Sequence, residues 1–281
     1  MVKLLIDSAA DIGAKEAETL GVTMLPLVVS FGDESYYDGV ELSPRDFYEK
    51  LIESDTLPKT SQITPFRFDE AYANLTANGD EVVAITISSK LSGTYGAAVT
   101  AAENYAGKVF VVDSLNAAIG ERLLVQYALR LIEEGKTAAQ IAEELEEKKK
   151  KVNLMAVLGT LEYLKKGGRI SSAVAFAGEL LSIKPVIAIV DGEVKLVGKA
   201  MGSKKGNNLL NTLVQKQGGI DFSMPYGVVW SGLSDEFLKK YVKDSAHLWE
   251  RETDRVPSYM IGGTIGAHVG PGAIGVAFFS K

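Results

Sequence analysis

Ile85-Thr86-Ile87-Ser88-Ser89-Lys90-Leu91-Ser92-Gly93-Thr94-Tyr95 carries a strand into a helix. An apolar, β-branched run stops at hydroxyl residues, turns through Ser92 and Gly93, and enters the alanine-rich helical pattern of Ala97 to Glu103. A parallel strand that ends this way sets hydroxyls and the start of a helix at the carboxyl edge of a sheet. Such a start offers unpaired N–H donors and the positive end of the helix dipole, so that edge suits an anion.

Working outward, the same alternation of strand and helix runs from the first residues to about Lys151. Val2 to Ile6, Val22 to Phe31, Val82 to Ile87 and Val109 to Val112 read as strands, and Gly32-Asp33-Glu34 as a turn. Asp11 is placed to cap a helix that runs through Leu20 and stops at Gly21. Ser43-Pro44 and Thr64-Pro65 each put a capping residue before a proline at the first helical position, opening helices to about Glu53 and Asn74. A further helix spans Ala117 to Glu133, and Thr137 with Gln140 forms a capping box for one that reaches Lys151. Strands separated by helices predict a parallel sheet covered on both faces, a three-layer α/β/α domain.

The second half reads differently. Leu154 to Leu158 and Val186 to Val190 are strands, and Asp191-Gly192 is a hairpin turn into Glu193–Gly198. A helix from about Lys204 to Gln217 precedes strands near Gly227–Trp230, Ser258–Ile261 and Ile274–Phe279. This is a mixed-sheet α/β domain. The boundary falls near 152, giving domains 1–151 and 152–281.

Composition limits the function. The 281 residues are 46% hydrophobic and carry a net charge of −6, against the basic footprint of a nucleic-acid binder. Glu143 to Lys151 pairs glutamates with lysines four residues on, the pattern of a solvated helix face. With no cysteine, disulfides, thiolate metal sites and cysteine nucleophiles are excluded. Two histidines, His247 and His268, argue against a histidine-rich metal site. The opening Met1-Val2-Lys3-Leu4-Leu5-Ile6 is too short for a signal-peptide core and breaks at Asp7. No stretch approaches the length of a membrane span. The expectation is a cytoplasmic protein without cofactor or metal.

Three motifs fail on context. Gly270-Pro271-Gly272-Ala273-Ile274-Gly275 matches a dinucleotide fingerprint, but strand-like Val276-Ala277-Phe278-Phe279 follows where a helix is required. Gly202-Ser203-Lys204-Lys205 lacks the spacing of a P-loop. No glycine stands two places before Ser92, so the nucleophile elbow of an α/β hydrolase is missing. His268, set among glycines from Gly262 to Pro271, reads as an exposed loop residue, either structural, a carboxylate donor, or a base next to Ser92. His247 reads as a surface residue on a helical stretch from Asp244 to Arg251. Lys59-Thr60-Ser61-Gln62 is a hydroxyl cluster or a turn. Lys165-Lys166-Gly167-Gly168-Arg169-Ile170-Ser171 is a basic loop or a helix C-cap.

Together these segments resemble the DegV family of bacterial lipid-binding proteins. The matching pieces are Asp7-Ser8, Lys59 to Gln62, Ser88 to Tyr95, Val112-Asp113-Ser114, Leu161 to Ile170 and Gly266 to Gly272, in family order across nearly the whole chain. The resemblance implies a two-domain, non-enzymatic protein that holds a long-chain fatty acid. The carboxylate would sit at the domain interface and the acyl chain in an apolar tunnel. Ser61 or its neighbour Thr60, together with Ser92 and the Gly93 amide, would hold the head group, His268 would add a contact from the second domain, and Arg169 would lie near the mouth. Members of the fatty-acid-kinase type present the acid to an ATP-using kinase subunit, which makes an acyl phosphate; transient contact with a membrane surface fits that role. Family members usually carry an arginine after the strand ending at Gly198, where this chain reads Lys199-Ala200-Met201-Gly202-Ser203-Lys204-Lys205. That departure bears on a kinase partner and leaves lipid binding untouched. The rival reading is a serine hydrolase using Ser92 and His268, with Asp7 or Asp113 as the orienting acid.

Overall fold

A computed structural model describes residues 1–170, 183–250 and 252–281. Ser171, closing the basic loop, and Arg251, closing the His247 stretch, lie outside them. β1 (Val2–Asp7) leads through a single 3-10 turn to α1 (Ala14–Leu20), which stops at Gly21 in the left-handed conformation, φ 67°. Asp11 does not cap this helix. Its own backbone is left-handed, Gly13 takes the capping position, and Asp11 Oδ1 instead accepts from Gly262 N at 2.8 Å. The run from Val22 to Phe31 is not one strand either. Pro26 has no N–H for a ladder, and the segment divides into β2 (Thr23–Leu25) and β3 (Val28–Phe31), which join different sheets.

β4 (Glu34–Tyr37) folds back on β3 through Gly32. α2 (Pro44–Glu53) starts where Ser43 Oγ accepts from Asp46 N, and β5 (Lys59–Ser61) then pairs with β3. α3 (Pro65–Thr76) also has proline at its start, although Thr64 makes no side-chain cap. β6 (Glu81–Thr86), α4 (Thr94–Ala102), β7 (Val109–Asp113), α5 (Ile119–Glu133) and α6 (Ala138–Lys148) complete the first half.

The second half holds β8 (Val152–Val157), α7 (Glu162–Lys166), β9 (Ile183–Val190), β10 (Glu193–Met201), α8 (Gly202–Lys216), β11 (Tyr226–Trp230), α9 (Glu236–Asp244), β12 (Ser258–Met260), α10 (Gly263–Val269) and β13 (Ile274–Phe279). The β9–β10 turn places Asp191 and Gly192 at φ 51° and 81°, as an Asp-Gly hairpin requires. His247 is exposed on a short 3-10 turn, as expected of a surface residue.

The parallel sheet has the order β2-β1-β6-β7. Alternation along its strands sends Leu4, Ile6, Val83 and Ile85 to the face covered by α5 and α6, and Leu5, Val82 and Ala84 to the face covered by α3 and α4. The mixed sheet has the order β10-β9-β8-β13-β11-β12. Its outer face, with Met155, Val157, Val228 and Phe278, packs on Leu210 and Val214 of α8 and Leu238 and Tyr241 of α9. On its inner face, Val152, Val229, Ala277 and Phe279 share one core with Ile119, Leu123 and Leu124 of α5. α5 is therefore clasped between the two sheets. The third, small sheet (β4-β3-β5) packs with α2 and α10 around Phe47 and Tyr48.

Candidate ligand-binding cavity

Where the carboxyl edge of the parallel sheet meets α10 and the inner face of the mixed sheet, the chain forms a cavity of about 220 Å³. Most of its wall is aliphatic, with Leu27, Ile87, Leu154, Leu158, Ile189 and Val229 drawn from both halves. Its polar side chains cluster. Thr60 Oγ1 and His268 Nε2 lie 2.8 Å apart, joining β5 to α10. Arg169 Nε donates to Leu91 O at 3.1 Å, and its Nη1 donates to Gly167 O at 2.6 Å, tying the end of α7 to the entry of α4. Ser92 Oγ accepts from Thr94 N at 3.2 Å, fixing that entry.

Glycine at two positions permits these approaches. A Cβ on Gly93 would fall 2.0 Å from Gln62 Oε1, and one on Gly167 would fall 2.2 Å from His268 Nδ1. A side chain at position 93 would make Gln62 swing aside, and one at 167 would meet the His268 ring and the backbone oxygen of Tyr163.

Thr60, Ser61, Ser92, Gly93, Arg169 and His268 all line this one cavity. His268 is not on an exposed loop. Gly262 to Val269 form the start and body of α10, and the imidazole is half-buried. The glycines obscured this helix: Gly266 is there because a Cβ would meet the Phe47 ring at 2.5 Å, so close packing on α2 overrides weak helix propensity. Gln62 and Thr264 also line the cavity. Both stand in segments singled out for other residues, Gln62 beside Ser61 and Thr264 one helical turn before His268.

Burial, and then the Arg169 guanidinium, push the His268 pKa down to about 4. The ring is neutral near pH 7, and its Nδ1 has no hydrogen-bond partner. A serine triad needs a carboxylate on that nitrogen and the serine on the other. Here Nε2 meets Thr60, and Ser92 Oγ lies 2.9 Å from Thr94 Oγ1. Asp7, the first acid considered, is spent on Ala9 N and Ile87 N at 2.8 Å each. Asp113 accepts from Ser89 N and Leu115 N. Among the described residues, no cluster of three or more metal-binding side chains occurs and no helix is long and apolar enough to cross a membrane.

α10 is held from the first half. Asp38 accepts from Gly263 N at 2.9 Å, Thr264 N at 3.2 Å and Ser8 Oγ at 3.0 Å, satisfying the open amides at the start of the helix. His268, one turn after Thr264, is thereby set against Thr60.

Fold and cavity together define a class: an α/β protein built on a parallel and a mixed sheet, with a small third sheet, and an apolar cavity whose polar groups are hydroxyls, an amide side chain, a glycine amide, an arginine and a neutral imidazole. The chain belongs to the DegV family, since the family model described as "Uncharacterised protein, DegV family" matches residues 1–281. A DegV domain-containing protein of Deinococcus radiodurans is 34% identical over 280 residues, covering 98% of this chain and 97% of that one. A solved DegV family protein from Thermus thermophilus, described for its fatty acid binding, superposes with a TM-score of 0.87 at 30% identity, over 100% of this chain and 99% of that one. A stearic-acid-binding protein from Eubacterium ventriosum superposes at 0.84 with 27% identity and the same coverage.

Proposed function

We propose that this protein binds a long-chain fatty acid. Its carboxylate lies between a lobe of residues 1–151 and a lobe of residues 152–281, held by Thr60, Ser61, Ser92, the Gly93 amide and His268, with Arg169 at the mouth. The observation that carries this reading is the cavity itself, aliphatic over most of its wall and polar where β5, the α4 entry, the α7 end and α10 meet. An acyl chain gains about 0.8 kcal/mol for each methylene it buries. Its carboxylate loses that gain unless its hydrogen bonds are replaced. Hydroxyls and a helix-start amide replace them without a buried cation in direct contact.

A head group held in this way keeps its charge and nucleophilicity. We attach to the binding a carrier role in the cytoplasm: presentation of the acid to an ATP-using kinase subunit that forms the acyl phosphate, with this chain as the non-catalytic partner. The lysines of Lys199 to Lys205, without an arginine, mark where such docking is to be tested.

Titration of lipid-stripped protein with oleic or palmitic acid tests the binding. Ser92→Ala is expected to weaken it by about tenfold, the loss of one hydrogen bond to a charged acceptor. Equal affinity in the variant rejects the role of Ser92, and no uptake by the unaltered protein rejects the function. Labelling of Ser92 by a fluorophosphonate probe would instead establish a hydrolase.

A further inference from the structure

β9 and β10 leave their sheet before they end. β9 pairs with β8 from Val186 to Ala188, while its pairing with β10 runs on to Val190 and Glu193. The next rung of the β8–β9 ladder would set Ile189 beside Leu154. That rung is absent, and both side chains line the cavity instead. Residues 189–194 thus project as a two-stranded ribbon. Cross-strand partners share a face, so Ile187, Ile189 and Val194 turn one face of the ribbon to the cavity. Val190 is exposed on the other.

The ribbon has a fixed base and a tethered tip. At the base, a Cβ on Gly198 would fall 2.5 Å from Leu209 Cδ2, so β10 lies close against α8 there. Between base and tip the register shifts at Val197, an extra residue opposite Ile187 and Val186. Such a bulge bends a strand and disrupts its ladder locally, and a two-stranded ribbon alone is marginally stable. The tip lands on the first half. Ser88 Oγ donates to Gly192 O at 2.8 Å, and both residues are buried. A Cβ on Gly192 would fall 2.6 Å from that hydroxyl and 3.2 Å from Leu115 Cδ2. Ser88 also starts the turn that carries Ser92. Its Oγ accepts from Lys90 N, and its backbone oxygen accepts from Leu91 N and Ser92 N.

We propose that residues 189–194 form a flap over the cavity, hinged at the Val197 bulge and latched by Ser88, that opens to pass the ligand. This rests on the fatty-acid reading and adds to it the route of entry and the residue that controls it. Ser88 does not line the cavity; it is a positioning residue that acts through the flap. Breaking the latch raises the population of the open form while the closed form still predominates. Entry and release then quicken together, and affinity is nearly unchanged.

The test measures association and release of cis-parinaric acid, a fluorescent fatty acid, by stopped flow. Ser88→Ala is expected to raise both rates by about fivefold, the worth of one neutral hydrogen bond. Ser88→Cys combined with Gly192→Cys, in a chain that otherwise has no cysteine, is expected to lose exchange once its disulfide has formed and to regain it in reductant. Amide hydrogen exchange at residues 189–194 of the ligand-free protein is expected to quicken in Ser88→Ala, while β8 and β13 keep their protection. Unchanged rates in Ser88→Ala overturn the proposal. So does faster release with an unchanged association rate, because Ser88 would then act on the bound head group through the turn to Ser92. Undiminished exchange in the oxidised cysteine pair overturns it as well. Should that pair fail to fold or to oxidise at Gly192, where φ is 81°, the Ser88→Ala rates and the amide exchange decide. No uptake of any acid by the unaltered protein is a different failure, that of the fatty-acid reading, and the amide exchange still judges the flap.

Discussion

Glu121 is fully buried in the first turn of α5, and neither of its carboxyl oxygens has a hydrogen-bond partner. Burial first, and then the neighbouring Asp7, push its pKa well above the ordinary carboxyl value. The folded protein therefore keeps a proton there that the unfolded chain has already released. Stability is lost as pH rises above about 4.3, by up to roughly 1.4 kcal/mol per pH unit. Glu121→Gln removes the titration at almost no change of shape. In urea melts the variant is expected to gain on the parent as pH goes from about 5 to about 8, and parallel curves would show that the carboxyl does not titrate on unfolding. His268 has the opposite sign. With its folded pKa near 4, its share of stability is present above about 6.5 and is lost as pH falls toward the folded value. The polar residues that line the cavity were easy to single out because they stand in short contiguous stretches such as Lys59 to Gln62 and Ser88 to Tyr95. Glu121 was not, since nothing local marks it as buried.

Helix boundaries follow local chemistry and were the most legible elements. The Thr137–Gln140 capping box forms as read, with Gln140 N donating to Thr137 Oγ1 at 3.3 Å and Thr137 N donating to Gln140 Oε1 at 3.0 Å. Thr137→Ala is expected to cost about 1 kcal/mol in a denaturant titration, and a change within error would mean that packing alone fixes the start of α6. Illegible elements are those decided by distant partners. α10 hides behind glycines chosen for contact with α2 and α7. Asp11 looks like a cap but is drawn away to Gly262. Only the pairing of β3 with β4 and β5 shows that Pro26 separates two sheets.

At the level of the whole molecule, the two halves share a core through α5, although their sheets are separate in sequence. Leu124 is fully buried in that shared core. Leu124→Ala is expected to cost about 2–5 kcal/mol. Because both sheets rest on the helix, calorimetry should show one transition moving down in temperature. Two resolved transitions, with only one shifted, would show that the halves unfold independently. The change of sheet type near 152 was readable from the order of strands and helices. The cavity wall was not. Its aliphatic residues come from alternate positions on many elements, and only the register brings Ile187, Ala156 and Val229 into one row.

β13 follows the other described strands in sequence, yet it lies inside the mixed sheet between β8 and β11. During translation the parallel sheet can assemble as its βα units leave the ribosome, while β8 and β11 wait without a common neighbour. The six-stranded sheet closes only once residues 274 to 279 have emerged. A nascent chain stalled before Ile274 would leave α5 without the Ala277 and Phe279 side of its core, so neither half is complete until this strand is made.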